Sequence, residues 1–234
     1  MSILAIDSSL GTAVAIIDEA GETLSEIVSL DPLAHVEVVG TSIQRALLMA
    51  GMAAKELSAV AVGVGPGPFT GLRVGIAAAK GFAFGAGVPL RGVSSLDALA
   101  LQLYRGDYSA FRAVQAGEFS GPRRAQQLTP ASGILQRPMP TETVHLVTDA
   151  RRREVFSARY AGLDPNGLPL RIGEPGLLAG AEVPEEAITA DWLSAASVAQ
   201  LAQLQMRLGQ SGEVPTAVYL RAPDVTLSAP KRVS

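Results

Sequence analysis

The sequence predicts an α/β protein built on mixed sheets flanked by helices. Three observations predict it. Short apolar runs alternate with glycine turns over the first thirty residues, an apolar stripe at helical spacing follows, and a strand, a Gly/Pro loop and a helix then run from residue 59 to residue 84.

Ile3–Asp7 reads as a buried strand, Gly11 as a turn, Ala13–Asp18 and Thr23–Leu30 as the second and third strands of an antiparallel meander. Asp31-Pro32 reads as a helix start, with Asp as N-cap and Pro in the first helical position. Val36, Val39, Ile43, Leu47 and Ala50 then share one helical face, and Gly51 ends it. Ala59–Val64 is a strand of small and β-branched residues. The Gly/Pro loop follows, then a helix from about Gly71 to Phe84 that is apolar nearly all round, a strand at Val88–Val93, and a helix opened by Ser94 and Asp97 and running through Leu103. Residues 105–142 carry Gly, Pro, Gln, Ser and the arginines Arg105, Arg112, Arg123, Arg124 and Arg137 with little periodicity, which reads as a polar insertion or a disordered loop. Strands resume at Val144–Thr148 and Val155–Tyr160. Asn166-Gly167 marks a turn, Val198, Leu201, Leu204 and Leu208 an amphipathic helix, and Ala217–Arg221 a last apolar segment.

Composition narrows the function. Hydrophobic residues make up 48% of the 234 and charged residues 18%, so a large buried contact is expected besides the core. The net charge of -3 gives no general attraction to nucleic acid. The absence of cysteine excludes disulfides and thiolate metal sites, and the two histidines, His35 and His145, form no metal motif. The N-terminus carries no signal-peptide pattern and no run is long enough for a membrane span, so a cytoplasmic protein is expected, with no membrane role.

Gly63–Ile76 is the most informative run. A Gly/Pro loop opening a helix can cradle phosphate on backbone N–H groups. Yet Pro68 stands where G-x-G-x-x-G needs glycine, and Leu72-Arg73 stand where a P-loop needs Lys and Ser/Thr. Asp7 at a strand end, followed by Ser8, Ser9 and Gly11, can orient a metal or a water, or only cap its own turn. Asp149, before Arg151–Arg153, is a second strand-end carboxylate; those arginines suit phosphate or a partner's acids. Asp7, Gly65, Gly67, Thr70 and Asp149 are therefore the nucleotide-binding candidates. No catalytic residue and no metal ligand is assigned.

The run Ile3-Leu-Ala-Ile-Asp7-Ser-Ser, His35, Gly65-Pro-Gly-Pro-Phe-Thr-Gly-Leu-Arg73-Val-Gly-Ile, Gly92-Val-Ser-Ser, Asp149-Ala-Arg-x-x-Glu154-Val-Phe and Tyr219-Leu-Arg221 occur in that order. Together they resemble the bacterial TsaB (YeaZ) family, densely over residues 1–100, clearly at 144–160 and thinly near 217–221. The resemblance implies an actin/hexokinase/Hsp70-type (ASKHA) fold with two related lobes. Residues 1–104 would form the first lobe, rejoined by residues near 210–234; residues 143–209 would form a reduced second lobe. It implies a non-catalytic scaffold in forming threonylcarbamoyladenosine beside the tRNA anticodon, with a TsaD-like catalytic subunit and a TsaE-like ATPase as partners. It also implies a homodimer in isolation, tRNA contact only through the complex, no cofactor of the chain's own, and ATP or ADP only at a partner interface. The expected contact comprises His35, Val36, Val39, Ile43 and Leu47 of one helix and Leu72, Gly75, Ile76, Ala79 and Phe82 of the next. The alternative is an ATPase or kinase using Asp7, Asp149 and the Gly65–Gly71 loop.

Overall fold

Successive side chains of the first strands point to opposite faces, and both faces are buried. In a computed structural model that describes residues 1–31, 34–114, 118–119 and 143–220, β1 (Ile3–Asp7), β2 (Thr12–Ile17) and β4 (Ala59–Gly63) are buried on both faces. Leu4, Ile6, Val14, Ile16, Val60 and Val62 fill the core on one side, under α1 (His35–Ala50) and α2 (Phe69–Ala86). Ile3, Ile17 and the smaller Ala5, Ala13, Ala15, Ala59 and Ala61 face the other side. Their short side chains let α3 (Ser95–Tyr104) and α4 (Ala195–Arg207), itself rich in buried alanine, approach closely.

With β3 (Thr23–Ser29) and β5 (Leu90–Val93) the first sheet has the order β3-β2-β1-β4-β5. The first three strands are an antiparallel meander, and β4 and β5 continue parallel to β1. The second sheet contains β6 (Phe111–Ala113), β7 (Val144–Arg151), β8 (Glu154–Leu163), β9 (Pro169–Ala179) and β10 (Ile188–Ala190), in the order β6-β10-β7-β8-β9. It repeats the same plan: the meander β7-β8-β9, then β10 parallel to β7. Two differences reduce it. The edge strand β6 is antiparallel, and only a three-residue 3-10 turn at Gly180–Glu182 stands where α1 joins β3 to β4.

α4 ties the sheets together. Glu26 of β3 accepts hydrogen bonds from the Ser194 hydroxyl and the Ala196 N–H, so a carboxylate from the first sheet caps this helix. Asp97 of α3 accepts the Tyr160 hydroxyl of β8 at 2.7 Å and pairs with Arg171 of β9 at 3.2 Å. Beyond α4 the chain returns to the first sheet. Glu213 bridges Gly92, and the Val218 N–H reaches the Val64 carbonyl.

α1 begins at His35, with Ala34 at its N-cap and no capping side chain, so Asp31 does not cap it as expected; Pro32 lies outside the described residues. α2 is longer than expected at both ends. Three strands are absent from the reading above: β6, β9 and β10. β9 was obscured by Pro169, Gly173, Pro175 and Gly176, which an edge strand with register shifts tolerates. Most of the expected insertion, with Arg123, Arg124 and Arg137, and also Arg221, lies outside the described residues. Among the described residues no helix is long and apolar enough to cross a membrane.

Candidate functional site

Asp7 leaves β1 on the side facing α3 and is 2% exposed. Both of its oxygens are taken. Oδ1 accepts the Ser9 N–H at 2.7 Å and the Ser9 hydroxyl at 2.6 Å; Oδ2 accepts the Ser95 hydroxyl at 2.7 Å. Burial pushes its carboxyl above the usual carboxylate range, against the pull of the Ser9 and Ser95 bonds. Beside it, His35 Nδ1 lies 2.7 Å from the Thr12 hydroxyl, and burial lowers the imidazole pKa.

The glycines of the run pack closely against this cluster. A Cβ on Gly63 would stand 1.7 Å from Asp7 Oδ2, on Gly67 2.9 Å from the Ser9 Cα, on Gly71 2.6 Å from the Ser8 carbonyl oxygen, and on Gly75 2.2 Å from the Ser8 hydroxyl. Each glycine is therefore the width of a neighbouring backbone or side chain. Gly65, at φ +99°, has its N–H bonded to the Ser95 hydroxyl and its carbonyl to the Ser95 N–H. A donor that a phosphate cradle would offer is already used. Of the buried side-chain polar atoms here, the Ser8 hydroxyl has no partner among the described residues.

The second candidate carboxylate is arranged differently. Asp149, half-buried on β7, accepts the Arg151 N–H at 2.7 Å. Arg151, Arg152 and Arg153 all have positive φ, at 69°, 54° and 64°. Arg151 pairs with Glu154, so Arg152 and Arg153 form the centre of a two-residue hairpin turn whose twist demands that conformation. For residues bearing a Cβ it costs about 1–2 kcal/mol each. The turn edges a cleft of ≈ 270 Å³ between the sheets, lined among others by Gly67, Thr70, Arg151, Arg152, Phe156 and Tyr219. Gly67 and Thr70 thus reach the cleft; Asp7, Gly65 and Asp149 do not line it. The expected five-residue nucleotide site is split. Among the described residues no group of three His, Asp or Glu is placed to hold a metal ion.

The helix pair also divides differently than expected. Val39, Ile43, Leu72, Gly75, Ile76 and Ala79 are buried against the chain's own sheet, and His35 is buried beside Thr12. Leu47 and Phe82 are half-buried. Of the expected contact residues, only Val36, 68% exposed, points outward freely. The outward apolar surface instead includes Leu48 at 80%, Met49 at 61% and Phe84 at 91% exposure. Gly40, Gly81 and Gly85 have open space where a Cβ would stand. Helical spacing identifies a stripe but not the body it faces, and the densest stripe is the one the core claims.

Ser9, Ser95, Thr12 and Tyr219 were not singled out as site residues. Ser95 is 88 positions from Asp7 in sequence, and no local pattern announces their bond.

With this geometry in place, the chain can be set beside known proteins. The family model TsaD, tRNA N6-adenosine threonylcarbamoyltransferase, matches residues 29–112. An uncharacterized protein of Mycobacterium tuberculosis is 34% identical over 193 residues, 80% of this chain and 74% of that one. A Mycobacterium leprae relative, 36% identical over 162 residues, is longer, and the match spans 35% of its length. The Escherichia coli tRNA threonylcarbamoyladenosine biosynthesis protein TsaB is 36% identical over 105 residues, 45% of each chain. The solved structure of YeaZ from Pseudomonas aeruginosa aligns with 94% of this chain and 99% of its own at a TM-score of 0.70 and 25% identity. The glycine loop, the paired meanders and these matches lead to one assignment: the chain belongs to the TsaB/YeaZ-like family of glycoprotease-type proteins.

Proposed function

We propose that this chain serves tRNA threonylcarbamoyladenosine formation as a non-catalytic subunit, holding a TsaD-like catalytic partner through the outward face of α1 and α2 and supporting a TsaE-like ATPase. The observation that carries the reading is the close packing of the glycine run. Asp7 is bonded to Ser9 and Ser95, and the Gly65 N–H to Ser95, so the strand-end carboxylate and one loop donor that an ATPase or kinase would use are occupied by the chain itself. The exposed Val36, Leu48, Met49 and Phe84 supply the other half: outward apolar side chains on α1 and α2, beside the open glycines Gly40, Gly81 and Gly85 that admit a close backbone. The region that matches the TsaD family model includes both helices. A TsaD-like partner presenting the same pair would complete a four-helix contact, for which about 800 Å² per partner is the usual size. In the absence of that partner a second copy of the chain would use the same face. Residues 1–104 with the returning segment at 210–220 act as the lobe that bears this contact.

The test is co-expression with the TsaD-like protein of the same organism. Wild-type chain is expected to co-purify with it, and Phe84→Asp to lose at least tenfold of the recovered complex while melting at the wild-type temperature. Co-purification undisturbed by Phe84→Asp together with Leu48→Asp would remove this face from the proposal. ATP turnover by the purified chain that disappears in Asp7→Asn would favour the ATPase alternative.

A further inference from the structure

On the side of the first sheet away from α1 and α2, the β2–β3 turn, the end of α3 and the C-terminal half of α4 enclose a pocket of ≈ 190 Å³. Its polar lining is Glu22, Thr23, Arg105, Gln200, Gln203 and Arg207. Two amides build it. Gln200 donates to the Gly21 carbonyl at 2.9 Å and accepts from Arg105 at 2.6 Å. Gln203, 3% exposed, donates to the Asp18 carbonyl at 2.9 Å, so the turn is held against α4. No described residue donates to Gln203 Oε1, which lies beside Gly21.

Both cations of the pocket are positioned by neutral groups. Arg105 rests on Gln200 and Arg207 on the Glu19 carbonyl, and neither forms an ion pair among the described residues. Other arginines of the fold have acids: Arg112 pairs with Glu118 at 2.6 Å and Asp191 at 3.1 Å, and Arg171 with Asp97 at 3.2 Å. Burial lowers the Arg105 pKa, and no acid offsets it. A partly desolvated cation costs stability until an anion completes it. Guanidinium groups match a carboxylate with paired donors. Glu22 is likewise outside any ion pair among the described residues and supplies a negative point on the same lining. Two positive groups, one negative group and a spare amide oxygen call for a ligand that carries both charges. The volume lies below the about 300–1,000 Å³ of pockets for drug-sized ligands, so the ligand is small.

We propose that this pocket binds a small free α-amino acid, its carboxylate on Arg105 and Arg207 and its ammonium on Glu22 and Gln203 Oε1. A phosphate dianion fits less well, because the Glu22 carboxylate would stand beside it uncompensated. The site is separate from the α1/α2 face and needs no partner protein.

The test is calorimetry on the purified full chain with glycine and L-serine as probes. N-acetylglycine, which lacks the ammonium, glycinamide, which lacks the carboxylate, and inorganic phosphate are the controls. The variants are Arg105→Gln, Arg207→Gln and Glu22→Gln. All three change side chains with an exposed side, so each is expected to melt near the wild-type temperature. Glycine or L-serine is expected to bind and to raise the melting temperature of the wild-type chain. Each arginine variant should weaken that binding by about tenfold or more, and Glu22→Gln by about fivefold. N-acetylglycine and glycinamide should each bind about tenfold more weakly than glycine, and the N-acetylglycine deficit should shrink in Glu22→Gln. Binding of neither amino acid overturns the proposal, as does binding that all three folded variants leave unchanged. N-acetylglycine or phosphate binding as tightly as the amino acids makes this a plain anion site and overturns it equally. None of these outcomes depends on whether a TsaD-like protein co-purifies.

Discussion

Asp7 and Asp149 stand near the ends of corresponding strands, the first strand of each meander, yet their surroundings are opposite. Asp7 is buried, bonded on both oxygens, and followed by small residues that let the Gly63–Gly75 run pack closely against it. Asp149 is half-buried and followed by three arginines held in the left-handed region at an open cleft. The first sheet has helices on both faces; the second has lost the helix between its third and fourth strands. One strand plan therefore gives a sealed polar knot in the well-covered half and a strained, accessible turn in the reduced half. A carboxylate at a strand end becomes structural where packing supplies its donors, and the reduced half leaves room for binding.

The largest effect that would break this contrast is at Gly63. Gly63→Ala drives a methyl group onto Asp7 Oδ2 and within 2.8 Å of Ser95 Oγ, and a loss of about 3 kcal/mol is expected in denaturant unfolding. A variant as stable as wild type would show that the knot yields easily. Next is the pair of carboxylates themselves. Asp7→Asn presents an N–H₂ where Ser95 donates, leaving the hydroxyl without its acceptor, for a loss of about 2 kcal/mol. Asp149→Asn keeps an oxygen for the Arg151 N–H and should lose less than half as much. Equal losses would erase the distinction between the two sites.

pH sharpens the contrast further. Burial lowers the pKa of His35 in the folded chain, so the unfolded chain takes up its proton first as pH falls. The stability this imidazole supports is complete above the ordinary histidine value of 6.5 and is lost progressively below it, down to the lowered folded value. His35→Gln should flatten the decline in melting temperature between about pH 7 and pH 5 relative to wild type. An identical decline in the variant would place the titration elsewhere. The smallest effect is at the turn. Arg153→Gly relieves a positive φ without touching the cleft lining and should stabilise by about 1 kcal/mol.

Much of the first half was legible because its signals are local. The short apolar runs of β1 and β2, the glycine turns and the Ser94 cap, whose hydroxyl accepts the Asp97 N–H, each act within a few residues. β9 was not legible, because an edge strand tolerates the prolines and glycines that read as loop. The contact surface was half legible. The stripe of Val39, Ile43, Leu72, Ile76 and Ala79 is real, but it faces inward, and the exposed Leu48 and Phe84 lie off it.

The sequence by itself determined the mixed α/β plan, the family signature at Gly63–Ile76, and the absence of thiolate and paired-histidine chemistry, because these rest on residue type and short-range spacing. Only the tertiary structure decided that Ser95 ties Asp7 to Gly65 of the glycine loop, that Asp7 and Asp149 belong to different environments, and that Tyr219 meets Arg73 across 146 residues of chain. The physical reason is the same in each case. A hydrogen bond, a stacking contact or a shared cleft depends on which surfaces the folded chain brings together, and burial then sets whether a polar group there is satisfied by the protein or left to bind something else.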